Sequence, residues 1–435
     1  MDTTLAVQLL SGRMASVALN SESQVYELRK EAEKELGLGI SWLMRDGEIL
    51  CLGSTLRSSG LRSGDAVTAL ARRARVVSSK RSGSFALLRA DGTCATWGCD
   101  KRELMGVLQV VPSTSAFAAV RDCGSVVCWG DGAVAGATRL VQDQLCNIRH
   151  LAASAHAFAA LRGDGKVVTW GQVSGAAREL HSVQQVAAAM HAFAAVRQNG
   201  TVVTWGQEGA GGDSGHVQSQ LYGVRQVVGA DNAFCAIRED GSVVTWGDAE
   251  GGGDSNAVQP ELVAVQKVVA SCDAFAALNA DGQVVTWGDT LSGGDSSQVR
   301  AQLHSVRQIA GSCHAFAAVR SDGRVVTWGD VCSGGDSREV QCQLQNVRQV
   351  VASSQAFAAI REDGSVVTWG NAASGGDSRR VQKELRAVEQ IAGSRGAFAA
   401  LCGVGEAGAL RLVTWGHAAF GGDGQQVAER GARWT

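Results

Sequence analysis

From about residue 75 onward, short apolar runs recur in a fixed order. In residues 347–370 they read VRQVVAS, then AFAAIR, then EDG, then SVVTWG. Two apolar runs joined by Asp-Gly or Asn-Gly predict a β-hairpin, because the turn between them needs positive φ. Within AFAA and VVTW, apolar side chains occupy both faces, so each strand is predicted to be covered on both sides. A hairpin that needs cover on both faces, repeated along a chain, predicts copies packed on one another as a propeller or a β-solenoid.

The repetition can be indexed by its aromatic residues. Phe stands at 85, 117, 158, 193, 234, 275, 316, 357 and 398, and Trp at 97, 129, 170, 205, 246, 287, 328, 369 and 415. The Phe precedes the Trp by 12 residues in eight copies and by 17 in the last, and from Trp205 to Trp369 the period is 41 residues without exception. Ala-Phe-Ala-Ala has little bulk, as closely approaching sheets require, and one Trp per unit can fill the wedge between neighbours. Burying each Phe or Trp contributes roughly 1.5–3 kcal/mol. Side-chain size therefore points to a propeller.

The phrase Asp363-Gly364-Ser365-Val366-Val367-Thr368-Trp369-Gly370, a following Gly375-Gly376, and the return from Val381 to Ala392 resemble the repeat of the regulator of chromosome condensation (RCC1) family. The resemblance spans about residues 75–425. It implies a mainly β chain carrying an RCC1-like β-propeller. Members of that family usually have seven blades, and nine copies do not fit seven neatly, so seven to nine blades are expected. The family's founding member exchanges nucleotide on a small GTPase through an inserted wedge, and these short, uniform repeats show no obvious insertion.

Residues 1–72 follow a different rhythm: strand, turn, strand, helix, strand, turn, strand. Val25, Leu28, Ala32 and Leu36 fall at helical spacing, Ser21 or Ser23 is placed to cap the helix, and Gly37 and Gly39 suit its end. The order resembles the ubiquitin-like fold, which implies a small N-terminal α+β (β-grasp) domain. On that resemblance the family's apolar recognition patch falls on Leu10, Met44 and Leu70. The segment closing the domain, ARRARVV, lacks the Gly-Gly tail of conjugated relatives, so a built-in module is expected. The expected boundaries are 1–72 for this domain, 73–83 for a basic linker containing Arg73, Arg75, Lys80 and Arg81, and 84–435 for the propeller.

Composition narrows the function classes. Net charge is −2, so no global basic field points to nucleic acid. No apolar stretch approaches the roughly 18–20 residues of a membrane helix. The start lacks a basic region followed by a long apolar run, and the expectation is a cytoplasmic protein, with the nucleus as a second compartment. None of the 12 Cys forms a CxxC pair, so no zinc site or other metal is expected, and no cofactor.

Two features carry candidate chemistry. Five repeats place GGDS after the Trp, at 211–214, 252–255, 293–296, 334–337 and 375–378. One carboxylate per loop makes a poor cation site, and the better reading is a sharp turn with Asp and Ser bonding backbone amides. The position just before AFA varies where its neighbours hardly do: Ser115, His156, His191, Asn232, Asp273, His314, Gln355 and Gly396. In a ring of repeats these residues form a ring at one mouth of the channel, and varying polar residues on a fixed scaffold mark a binding face. No nucleophile, base and orienting group recur together, so no enzyme is expected. The expected function is a scaffold or adaptor with protein partners, its ubiquitin-like domain docking to ubiquitin-pathway proteins. The alternatives are a guanine-nucleotide exchange factor for a small GTPase and a ligand-binding propeller.

Overall fold

The computed structural model describes residues 2–50, 52–98, 101–175, 180–404 and 409–424. Each of the nine Phe/Trp copies builds one antiparallel sheet, and the nine sheets follow one another around a closed ring. The propeller is thus nine-bladed, at the upper limit of the expected range.

The blade of residues 347–370 shows how the sequence does this. Its strands are Val347–Ala352, Ala356–Arg361 and Val366–Gly370, the first lying nearest the channel. Gly364 takes φ +76° at the hairpin turn, and Asp363 Oδ1 accepts the Ser365 amide at 2.9 Å. Phe357 pairs with Trp369 across the strands, the rings stacked at 5.3 Å. Ala356, Ala358 and Ile360 point the other way, onto Phe398 and Trp415 of the next blade. Small residues on one face and stacked aromatics on the other therefore make the wedge, copy after copy.

GGDS is the latch between blades. Gly293 sits at φ +91°, where an added Cβ would lie 2.7 Å from Phe316 of the following blade. Its carbonyl accepts the Trp328 indole N–H at 3.0 Å. The same bond joins Trp246 to Gly211, Trp287 to Gly252, Trp369 to Gly334 and Trp415 to Gly375. Asp295 accepts the Ser297 amide at 2.8 Å, and Ser296 accepts the Thr286 hydroxyl at 2.9 Å. The segment after it, Ser297–Gln302, is a 3-10 turn. Three repeats lack the motif, and among the described residues the Trp129, Trp170 and Trp205 indoles of the blades that follow them make no such bond.

The last copy closes the ring. Trp97 of the first blade donates to Gly421 O at 3.0 Å, and the Gln390 side chain donates Nε2 to Val76 O at 3.0 Å and accepts the Val76 amide on Oε1 at 3.1 Å. The expected linker is thereby corrected. Arg75–Val77 is the first strand of blade one, paired with Ser84–Leu88, so the ring begins near residue 75 and not at 84. Arg75 donates to Leu108 O at 2.8 Å. Those peptide and guanidinium bonds leave little of the run 73–83 as solvated linker.

The N-terminal unit contains β1 (Asp2–Leu9), β2 (Met14–Asn20), α1 (Val25–Leu36), β3 (Ile40–Arg45), β4 (Glu48–Ile49) and β5 (Ala66–Ala71). The sheet order is β2-β1-β5-β3-β4, with β1 and β5 parallel and α1 packed on one face. Gly37 ends α1 at φ +65°, while the N-cap is Gln24 with no side-chain bond, so neither Ser21 nor Ser23 caps it. Arg29 of α1 is fully buried against blade two, donating to Asp122 O at 3.1 Å, and Lys30 pairs with Asp122 at 2.8 Å. Leu108 of the same blade enters the N-terminal core. Among the described residues no helix is long and apolar enough to cross a membrane.

Candidate binding face at the channel mouth

Six blades turn from inner to middle strand through Ser-x-x-Ala, and blades four and five do so through Ala189-x-x-Ala192 and Ala230-x-x-Ala233, where the first Ala amide donates to the last Ala carbonyl at 2.8–2.9 Å. Ser271 is buried; its hydroxyl accepts the Ala274 amide at 3.0 Å and donates to the Ala274 carbonyl at 3.2 Å. Ser113, Ser154, Ser312, Ser353 and Ser394 repeat this bond. The turn is locked, and two residues are left at its tip.

The first of these forms a belt of backbone bonds from blade to blade. Met190 N donates to Asp231 O at 2.8 Å, Asp231 N to Cys272 O at 2.7 Å, Cys272 N to Cys313 O at 2.8 Å, and Cys313 N to Ser354 O at 2.8 Å. Arg395 N donates to Ser82 O at 2.8 Å, carrying the belt across the closure. The second residue is the variable one. Its carbonyl accepts the amide of the residue after Trp-Gly: His314 O from Asp330, Gln355 O from Asn371, both at 2.8–2.9 Å. Both backbones are thus held by bonds that do not depend on which side chain stands at either position.

Ser115, His156, His191, Asn232, Asp273, His314 and Gln355 all stand at this turn, seven blades in succession around one mouth, and all but the exposed Ser115 are half-buried. The His156 and His191 rings stack at 6.1 Å. Gln355 accepts from Asn371 at 3.4 Å and from Ser374 at 3.3 Å. Gly396 is a packing position, since an added Cβ would lie 2.5 Å from the Phe420 ring.

Sequence reasoning missed three groups at the same mouth. The residue after Trp-Gly is acidic in consecutive blades, at Asp248, Asp289 and Asp330, and its amide bond to the variable residue brings it to this face. The belt position adds Asp231, Cys272 and Cys313. Partial burial, then the carboxylates of Asp231 and Asp289, hold the Asp273 carboxyl above its ordinary value. Cys272 and Cys313 are free thiols; a hydrogen bond from Cys272 holds the Cys313 thiol down, and Lys80 favours the same direction. The third group is the supposed linker. Lys80 Nζ donates to Ala270 O at 2.9 Å and Ser312 O at 3.1 Å, across the channel from its own blade, and Arg81 pairs with Asp231.

The N-terminal patch residues lie on the sheet face away from α1. Leu70 pairs with Trp42, Met44 with Thr68, and Leu10 directly follows β1 beside the end of β5. Leu10 is 80% exposed, while Met44 and Leu70 are half-buried.

No protein-family model matches the chain, and neither does any curated protein. Among solved structures, yeast RCC1 (Prp20) bound to Kap60 is similar at 14% identity and a TM-score of 0.39, covering 71% of this chain and 91% of that one. The ectodomain of the Physcomitrella patens receptor kinase CR4 is similar at 15% identity and TM-score 0.37, covering 60% of this chain and 72% of that one. The UBL domain of Plasmodium falciparum Dsk2 is similar at 18% identity and TM-score 0.15, covering 16% of this chain and 96% of that one. The fold is a mainly β, RCC1-like propeller. That statement rests on the nine repeated sheets and their closed order.

Proposed function

We propose that this chain is a non-enzymatic protein-interaction scaffold that holds a partner on the channel-mouth face of the propeller. One observation carries the reading: from blade three to blade eight, the two residues at the tip of the turn between inner and middle strands have hydrogen-bonded backbones and variable side chains. A scaffold that repeats its strands and varies the half-buried tips of one face concentrates its specificity there. The N-terminal unit, read as a ubiquitin-like module, is a second docking element that presents Leu10, Met44 and Leu70. Its strand order around one helix and the exposure of Leu10 support that assignment.

Affinity capture from native extract tests both parts. Asp273→Ala, His314→Ala and Gln355→Ala together remove one sector of the face without touching the belt. They are expected to deplete one set of captured proteins. Leu10→Ala, Met44→Ala and Leu70→Ala are expected to deplete a different set containing ubiquitin-pathway proteins. An unchanged capture profile in both triple variants contradicts the scaffold reading.

A further inference from the structure

The face has a charge asymmetry that identifies the chemistry of its partner, on the reading that the channel mouth is the partner-binding surface. Four carboxylates, Asp231, Asp248, Asp273 and Asp289, converge from two successive blades, and Asp330 follows on the third. Exposed apolar side chains flank them: Leu291 is 76% and Val331 62% solvent-exposed, each in the short turn that follows an acidic residue. The same mouth already holds a cationic guest. Lys80 lies between two main-chain carbonyls of the blades that carry Asp273 and His314, and Arg81 is ion-paired to Asp231. Both project from a tight turn held by its own bonds, Ser82 N to Ser79 O at 2.9 Å and Ser78 Oγ to Ser84 O at 2.7 Å. The turn's backbone therefore does not depend on either cation. Two cations against this many carboxylates leave the sector with excess negative charge.

We infer that the acidic sector of blades five to seven binds a basic, partly apolar segment of the partner protein, and that Lys80 and Arg81 are a built-in plug competing for the same sector. Asp231 is the shared element, because it touches the plug and crowds Asp273. A guest Arg or Lys replaces Arg81 at Asp231, while its apolar neighbours cover Leu291 and Val331. The plug lowers apparent affinity by the fraction of time it occupies the sector.

Fluorescence anisotropy on the full chain tests this with a short labelled peptide containing Lys-Arg and Leu, and with its Gln-Gln counterpart. Lys80→Gln with Arg81→Gln is expected to tighten the basic peptide about tenfold, as removal of a self-competitor does. Adding Asp273→Asn and Asp289→Asn to that background is expected to return binding to the level of the neutral peptide, and raising salt is expected to weaken it. Lys80→Ala with Arg81→Ala serves as a second plug-free variant, with circular dichroism checking the fold. Unchanged affinity in both plug-free variants, or equal binding of the neutral peptide, overturns the inference. Loss of native partners from the Asp273, His314 and Gln355 triple variant, with no basic-peptide binding in any variant, leaves the scaffold reading standing and refutes the basic-partner inference alone.

Discussion

Trp287→Phe and Trp205→Phe are a matched pair that isolates the latch bond. Both indoles are 5% exposed, and both stack on their cross-strand Phe at 5.3–5.4 Å. Their seams differ in the loop that precedes each: Trp287 Nε1 donates to Gly252 O of a GGDS loop at 3.0 Å, whereas the blade before Trp205 lacks GGDS and, among the described residues, Trp205 makes no corresponding bond. Each substitution removes a similar buried volume, costing about 1–2 kcal/mol by the cavity term. Trp287→Phe also leaves a buried carbonyl without its donor, adding about 1–3 kcal/mol. Native-state hydrogen exchange reads this locally, in the amides of Val284–Gly288 against those of Val202–Gly206. The extra loss corresponds to roughly 5- to 150-fold faster exchange at the latched seam. Equal acceleration at both seams would refute the latch argument and leave the indoles as volume fillers only.

Three further outcomes follow from the same geometry. Gly293→Ala combines a positive φ with a 2.7 Å approach to Phe316, so a loss of about 2–4 kcal/mol is expected in denaturant titration, while Gly132→Ala, whose Cβ meets nothing, stays near neutral. Asp122→Ala takes from the buried Arg29 its carboxylate partner in blade two, and a loss of about 3–5 kcal/mol at the contact is expected to appear as faster proteolysis around residues 72–75. Arg379 and the backbone hold Asp377 down to about 2, a folded value below the unfolded one, so this pair stabilises above the ordinary carboxylate range and is lost as pH falls toward 2. Arg379→Gln is expected to move the Asp377 midpoint upward in a carboxyl NMR titration.

The blade was legible because its determinants are local. Phe, Asp-Gly and Trp-Gly lie within 14 residues of each other, and their pairing needs only one hairpin. GGDS was legible as a turn, since Asp and Ser bond amides close in sequence, but its latch acts on a Trp 35 residues downstream. The blade number was not legible, because it depends on whether Gly421 meets Trp97 across 324 residues. The variable turn position was legible from its variation alone. Its acidic neighbours were not, because Asp248, Asp289 and Asp330 reach the face only through amide bonds between separated strands. The basic run misled for a physical reason: Lys80 has carbonyl partners only when blades six and seven stand opposite blade one. The cysteines Cys51 and Cys99 lie outside the described residues.

The central claim is that one face of the ring binds protein. Site-specific photocrosslinking tests it most directly, with the reactive residue placed at Gln355 or His314 on the channel mouth, or at Glu239 in the hairpin turn at the opposite end of its blade. The account predicts crosslinks to captured partners from Gln355 and His314 and none from Glu239. Crosslinks from Glu239 alone, or equally from all three, would contradict it.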